Sequence, residues 1–250
     1  FSTRLGGVSE GVCSTMNVSF TRGDREEAVR ENYRRLGEAV GFDCADLVCS
    51  DQTHTTNIRA VTEADRGKGF ARPKDYTDID GLITNVPGLV LATFYADCVP
   101  LYFVDPVHRA IGLSHSGWRG TVNRMGEKTL RAMGEAFGTK PEDVLCAIGP
   151  SICRDCYEVS DDVAGQFARE FAGHEETVLK KGRVTEEGQK WQLDLWEANR
   201  LVLTEAGILP GHLEMTDLCT CCNHTYLFSH RATQGKRGNL GAFLKLKVEN

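Results

Sequence analysis

The chain has no long hydrophobic run and no excess of positive charge. No apolar run approaches the roughly 20 residues that a membrane helix needs, so we expect no membrane partner. Lys and Arg number 29 against 35 Asp and Glu, giving a formal net charge of −6. This balance disfavours a general nucleic-acid binder. Pro is scarce, with seven residues, and there is no internal repeat or linker. We therefore expect a single domain over residues 1–250.

Cysteine, in contrast, is abundant, with ten residues in 250. Disulfide frameworks mostly serve small secreted domains that lack a sufficient core. A chain of this length, with 41% hydrophobic residues, is able to bury one. We therefore expect reduced thiols and a cytoplasmic location. The chain opens at Phe1 rather than Met, and we expect further residues upstream. The sequence does not distinguish a monomer from a homodimer.

Hydrophobic periodicity predicts helices and strands that do not alternate strictly. Apolar residues recur at helical spacing along residues 29–40, 122–137, 163–171 and 195–206. Strand-like runs occupy residues 89–95, 110–114, 144–148, 212–215, 226–229 and 243–248. A doubly wound parallel sheet is not required by this order. The pattern predicts an α+β fold with central mixed β-sheets flanked by helices.

Three short segments carry residue types that bind metals. They contain His54, Cys98 and His115, and the last two lie where an apolar run meets a turn. Two imidazoles and one thiolate leave one coordination position open, which is the pattern of a catalytic zinc. Taken singly, Cys98 is equally well explained as a core thiol, and His54 as a solvated loop residue. The hypothesis depends on whether the three side chains meet.

The residues after His115 indicate an anion site. Gly117-Trp118-Arg119-Gly120 precedes a helical stripe, and a helix N-terminus presents free amides to an anion. Arg119 adds a guanidinium that binds phosphate or carboxylate through two parallel hydrogen bonds. The alternative is that the Trp118 ring packs against the protein while the charged end of Arg119 extends into solvent. The flanking glycines favour a close backbone approach and hence the anion site.

The order of these blocks resembles the multicopper polyphenol oxidoreductase, or laccase-domain, family over nearly the whole chain. The shared blocks are residues 1–9, Asn17, the stretch around Gln52 and His54, and residues 80–84, 96–100, 115–120, 148–159, 193–195, 219–220, 228–231 and 236–237. The chain departs from the family pattern at three places. It has Thr on both sides of His54 instead of Val and Gly, Ser116 instead of Ala, and His230 where Tyr is frequent.

The resemblance implies a layered α/β/β/α fold, similar to that of cysteine hydrolases. It implies that His54, Cys98 and His115 bind the catalytic metal, which would be zinc with copper as the alternative. The implied activity is phosphorolysis of purine nucleosides, namely adenosine, inosine, guanosine and methylthioadenosine. Deamination of adenosine by a metal-bound water would accompany it. The expected partners are therefore a purine nucleoside and phosphate.

Roles for the remaining polar residues follow from this chemistry. We expect Arg4, Arg119 and the amides of a helix that begins after Gly120 to hold the phosphate. Asp97 would orient a metal ligand or a ribose hydroxyl. Asn17 is a candidate contact to the ribose or the base. Together with the three metal ligands, these residues form the predicted site.

Three other functions compete with this one. A copper-dependent polyphenol oxidase needs several coppers and many histidines, but the chain has seven His and no His-x-His pair. A thiol hydrolase would use Cys98 as nucleophile and His115 as base, as in a deamidating toxin domain of similar fold. A non-enzymatic binding module would have little use for an open metal site beside an anion site.

A second metal site is a separate hypothesis. Cys153 and Cys156, together with Cys219, Cys221 and Cys222, could supply four thiolates to a zinc ion. The adjacent Cys221 and Cys222 fit a Cys-x-x-Cys knuckle poorly. Buried thiols in two turns, or a disulfide between the clusters, are the alternatives.

Overall fold

The structure is a computed structural model that describes residues 1–248. Its α-helices in this range are α1 (Glu26–Val40), α2 (Trp118–Val122), α3 (Met125–Phe137), α4 (Asp161–Glu170), α5 (Glu175–Val178), α6 (Leu195–Glu205) and α7 (His230–Thr233). Its strands are β1 (Leu47–Cys49), β2 (Ile58–Ala60), β3 (Gly81–Thr84), β4 (Val90–Tyr95), β5 (Val99–Asp105), β6 (Ala110–Ser116), β7 (Leu145–Ile148), β8 (Glu158–Ser160), β9 (Leu179–Thr185), β10 (Gly188–Leu193), β11 (Leu213–Met215) and β12 (Leu240–Lys245). No helix among the described residues is both long and apolar enough to cross a membrane.

The strands form three sheets. The largest has six strands in the order β11-β7-β5-β6-β3-β2, and the second has three in the order β1-β4-β12. Both are mixed, because each contains parallel and antiparallel neighbours. The third sheet, β8-β10-β9, is antiparallel and lies beside α4 and α5. The predicted α+β class with mixed central sheets is confirmed.

Three buried hydrophobic clusters correspond to the interfaces of four layers. Val29 and Tyr33 of α1 pack against β1 and β4 in the first cluster. The second cluster lies between the two mixed sheets and includes Leu91 of β4 and Leu113 of β6. The third joins the outer face of the six-stranded sheet to α3, α4 and α6, with Phe103 fully buried. This is the α/β/β/α layering that the resemblance implied.

The four predicted helices all form, with one interruption. Gly41 and Gly138 end α1 and α3 in the left-handed conformation that glycine adopts without strain. The stripe over residues 122–137 is divided, because Arg124 has φ +60° and breaks the helix between α2 and α3. The helix at the predicted anion site, α2, is therefore only five residues long. It begins at Trp118, whereas we expected it to begin after Gly120.

Two strand predictions need correction. The strand predicted at 226–229 is wrong, because the amides of Tyr226 and Leu227 both donate to the carbonyl of Asn223 and form a turn. The apolar residues there are buried as a loop. The strand predicted at 243–248 lies at Leu240–Lys245. β5 was not predicted, and it contains Pro100 as its second residue although proline disfavours a strand interior.

Candidate metal centre and its pocket

The register of the six-stranded sheet brings two of the predicted ligands together. Val99, the first residue of β5, pairs with Ser116, the last residue of β6. Cys98 therefore stands immediately before one strand, and His115 lies near the end of its antiparallel neighbour. The antiparallel pairing of these two strands, together with the alternation of side chains along each strand, therefore fixes the position of Cys98 relative to His115. His115 is buried and Cys98 is partly buried.

The third ligand is supplied by a loop that is organised around one carboxylate. Asp80 is fully buried and precedes β3, the other neighbour of β6. Its oxygens accept hydrogen bonds from the amides of Thr53, His54 and Thr55 at 3.1, 3.1 and 2.9 Å, and from the Thr55 hydroxyl at 2.9 Å. These bonds hold His54 at φ +67°, a conformation that is strained for a residue other than glycine.

Asp80 also orients the buried histidine. Its Oδ1 lies 2.7 Å from Nδ1 of His115. An ionised carboxylate accepts a hydrogen bond from Nδ1–H, which leaves Nε2 free to bind a metal. The carboxylate of Asp80 thus orients the imidazole of His115 and holds the backbone of His54.

The three ligand atoms converge at metal-binding distances. The ligand atoms of His54, Cys98 and His115 all lie within 4.8 Å of one another. Sγ of Cys98 is 4.0 Å from Nε2 of His54, and the two imidazole rings are 4.9 Å apart at their centroids. Gly117 makes room for them, since a Cβ there would lie 3.0 Å from the Cys98 sulfur. The donor set and the spacing fit a zinc ion with an open coordination position.

The electrostatics of the site favour the ionised thiol. Burial raises the pKa of Cys98, but the neighbouring His115 and His54 outweigh that effect and lower the pKa to about 6. Burial lowers the pKa of His115, while the Cys98 thiolate and Asp80 together raise it to about 9. The thiolate is the form that binds metals and acts as a nucleophile.

A pocket of about 430 Å³ opens onto this centre. This volume suits a small molecule such as a nucleoside. All three predicted ligands line the pocket, together with Phe20, Arg22 and other residues: Val18, Ser19, Thr21, Cys49, Ser50, Asp51, Gln52, Thr53, Gly69, Lys74, Phe94, Tyr95, Ala96, Arg237 and Asn239. The wall therefore combines aromatic rings with positive charge.

Arg237 is the most unusual of the lining residues. It is 8% exposed, and its Nε is buried without a hydrogen-bond partner among the described residues. Its other nitrogens contact Asn239, the carbonyl of Gly238 and Nδ1 of His230. Burial, together with the positive charge of Arg22, lowers the pKa of Arg237 to about 10. An anion in the pocket would relieve this uncompensated charge.

The structure does not bring the predicted phosphate residues into this pocket. Arg4 directs its guanidinium to the carbonyls of Ser14 and His224. Arg119 is exposed and stacks on Trp118, with its guanidinium carbon 4.4 Å from the ring centroid. Gly120 is buried in α2, a helix too short to present a strong dipole.

The other two predicted contacts hold backbone in place. Asn17 is fully buried, and its amide bonds to Ser19, Asp24 and Asn239. Asn17 therefore holds Ser19 and Asn239, which line the pocket, although it does not line the pocket itself. Asp97 adopts φ +92° beside Cys98, and its carboxylate accepts hydrogen bonds from the Thr220 hydroxyl at 2.7 Å and the Arg231 amide at 2.7 Å. It holds the chain that carries the thiol.

Two functional candidates were missed from the sequence, Asp80 and Arg237. An aspartate directly before the apolar run 81–84 is a signal for a buried carboxylate, since such a group needs strong hydrogen-bond donors. Arg237 lies in the shared block 236–237 but was given no role, because its significance comes from Arg22 and the metal ligands, which are distant in sequence.

The fold and the site together define an α+β protein with a Cys-His₂ centre at the wall of a small-molecule pocket. The family model described as multi-copper polyphenol oxidoreductase laccase matches residues 1–247, so the chain belongs to that family. The chain is similar to purine nucleoside phosphorylase YlmD of Bacillus subtilis, with 34% identity over 99% of this chain and 87% of that protein. It is also similar to adenosine deaminase RL5 of an unknown prokaryotic organism, with 32% identity over 92% and 87%. Among solved structures, the hypothetical protein YfiH of Bacillus licheniformis aligns with a TM-score of 0.90 and 36% identity, covering 98% of this chain and 91% of that one.

Proposed function

We propose that residues 1–250 act as one laccase domain that cleaves the N-glycosidic bond of purine nucleosides with phosphate. The observation that carries this proposal is the convergence of His54, Cys98 and His115 in a pocket that Arg22 and Arg237 also line. Metal ligands and anion-binding residues thus face one cavity. The similarity to proteins named purine nucleoside phosphorylase supports the substrate class.

The donor set supports zinc, held by His54, Cys98 and His115, with copper as the alternative. When bound, the metal supplies a Lewis acid and lowers the pKa of coordinated water. Asp80 keeps the proton of His115 on Nδ1, and its bonds to the 53–55 loop hold His54 in place. Gly117 leaves space beside Cys98 and His54.

We propose that Arg237 and Arg22 hold the attacking phosphate. A buried guanidinium with an unpaired Nε needs an acceptor, and phosphate oxygens match its planar donors. In phosphorolysis the phosphate oxygen bonds to C1′ of the ribose while the C1′–N bond breaks, which yields the free base and ribose 1-phosphate. A fixed anion stabilises the positive charge that develops on the sugar.

Phe20 is our candidate for the purine contact. It lines the pocket and is 37% exposed, while its ring is stacked on Tyr33 with centroids 5.9 Å apart. An aromatic ring that is already fixed in place loses little entropy when a base packs on it.

Deamination of adenosine is a second candidate activity, supported by the same donor set and by the similarity to a protein named adenosine deaminase. A thiol hydrolase is the alternative with specific support, because Cys98, His115 and Asp80 form a nucleophile, base and orienting acid. The polyphenol oxidase hypothesis has less support, since the chain has only seven His to supply several coppers.

The test is chromatography of adenosine incubated with the metal-loaded protein, with and without phosphate. We expect adenine and ribose 1-phosphate only when phosphate is present, and inosine if deamination also occurs. Neither product in either sample would refute both activities. Absence of metal at His54, Cys98 and His115, with iodoacetamide inactivation that substrate prevents, would support the thiol hydrolase instead.

A matched pair of variants tests the location of the phosphate. Arg237→Met should raise the KM for phosphate by about 10- to 100-fold, the loss expected for a hydrogen bond to a charged group. Arg119→Met removes an equivalent charge outside the pocket and should have a smaller effect. A larger increase of the KM for phosphate in Arg119→Met than in Arg237→Met would instead indicate that phosphate binds at the turn formed by residues 117–120.

A further inference from the structure

A second cluster of potential metal ligands lies away from the trio. It consists of Cys153, Cys156, Cys219 and Cys222, whose sulfur atoms all lie within 4.8 Å of one another. From these residues we propose a structural zinc site with four thiolate ligands. The proposal is independent of the reaction catalysed in the pocket.

The spacing of the four residues agrees with this assignment. The first pair is separated by two residues and lies in a short 3-10 helix over Arg154–Cys156 and the residue before it. The second pair, Cys219 and Cys222, has the same spacing and follows 66 residues later. The sequence obscured this pair because Cys221 intervenes. Two Cys-x-x-Cys knuckles are the usual composition of a closed structural zinc site.

The distances between the sulfurs are close to those of four thiolates around a zinc ion. Zinc–sulfur bonds of about 2.3 Å in a tetrahedron place the sulfurs about 3.8 Å apart. Sγ of Cys156 and Sγ of Cys222 are 3.5 Å apart. All ten cysteines are free thiols, so this is not disulfide geometry.

Backbone donors already surround one of the sulfurs. Sγ of Cys219 accepts hydrogen bonds from the amide of Cys153 at 3.3 Å and from the amide of Cys222 at 3.4 Å. Such bonds orient ligands and stabilise the charge of a metal-bound thiolate. On binding, each thiol would release its proton, and zinc would bridge the two segments with no oxidation of sulfur.

The cluster joins segments that support the pocket wall. Thr220, between the cysteines of the second pair, donates to Asp97, and Arg231 donates to the carbonyl of Cys156 at 3.2 Å. The Arg231 amide is also bonded to Asp97, the residue before Cys98. A zinc ion here would therefore stiffen the chain that presents Cys98.

The experiment measures zinc in a full-length His54→Ala/Cys98→Ala background, which removes the pocket's own metal centre. We expect about one zinc per chain in this background, the occupancy of a single four-thiolate site. Adding Cys222→Ser should remove it. Adding Cys221→Ser, a change of the adjacent thiol outside the cluster, should not. No zinc in the background protein, or equal zinc in both serine variants, would overturn the proposal.

Two further measurements keep the test decisive if Cys222→Ser fails to fold. Zinc X-ray absorption of the background protein should show four sulfur neighbours at about 2.3 Å. Nitrogen or oxygen neighbours would contradict the assignment. Intact mass of the denatured, unreduced protein should correspond to free thiols, and a mass lower by two hydrogens per linked pair would show disulfides instead.

Discussion

Asp80→Asn is the most informative single substitution at the metal centre, because it changes the hydrogen bonds that position His54 and His115. The carboxylate of Asp80 receives five hydrogen bonds, two at Oδ1 from His115 and the His54 amide, and three at Oδ2 from Thr53 and Thr55. Asparagine keeps one acceptor oxygen and replaces the other with an NH₂ donor. In either orientation of the new amide, at least two donors therefore lose their acceptor.

The magnitude follows from the two orientations. If the NH₂ group faces Thr53 and Thr55, two backbone amides lose their acceptor, at about 1–3 kcal/mol each, or about 2–6 kcal/mol of unfolding free energy. If it faces His115, the imidazole is driven to the tautomer with its proton on Nε2, which cannot bind metal. Loss of such a supporting hydrogen bond weakens metal binding by about 10- to 100-fold.

The assay is zinc competition against a chromophoric chelator, with urea unfolding of the same samples. A Cys222→Ser background keeps zinc from the thiol cluster. Asp78→Asn is the matched control, because Asp78 is exposed in the same loop, and within residues 1–248 its carboxylate accepts a hydrogen bond only from the Thr53 hydroxyl, at 2.7 Å. Wild-type zinc affinity and stability in Asp80→Asn would refute the role assigned to this carboxylate.

Three further predictions concern the site and the fold. In the Cys222→Ser background, Gly117→Ala should weaken zinc binding while the fold persists by circular dichroism, because the new Cβ would lie 3.0 Å from the Cys98 sulfur; unchanged zinc affinity in that background would contradict the tight packing. Asp65→Asn should lower the unfolding free energy at neutral pH by about 2 kcal/mol, since burial raises the pKa of Asp65 but the ion pairs with Lys68 and Arg59 lower it to about 2. That contribution is present above about pH 4 and lost as pH falls towards 2, so wild type and variant should converge in acid urea titrations; a constant difference would contradict it. Phe103→Ala should cost about 3–5 kcal/mol by urea unfolding, because the side chain is fully buried; a loss below 1 kcal/mol would contradict close packing there.

The sequence sufficed for the fold class and for the identity of the three converging side chains. Periodicity located α1, α4 and α6, because each buries one apolar face. The structure brings His54, Cys98 and His115 together, and their role as metal ligands stays a prediction. The prediction succeeded geometrically because two of the three lie at the end of one hairpin.

The anion site was harder to predict, since it depends on contacts between distant segments. Arg119 has the local setting of a phosphate residue, yet it lies outside the pocket. Arg237 lies in a block shared with the family, but its place in the pocket comes from the packing of the chain near residue 239 against Asn17. Asp80 likewise acts on residues 26 and 35 positions away. Local patterns carry no information about such contacts.

The most direct measurement is a crystal structure of the protein grown with zinc and phosphate, with anomalous scattering recorded at the zinc edge. We expect an anomalous peak bonded to His54, Cys98 and His115, separate from the one proposed at the four cysteines, and phosphate density at Arg237 in the same pocket as the first peak. Zinc absent from the trio, or phosphate bound only at Arg119, would contradict the proposal that metal and phosphate act on one nucleoside.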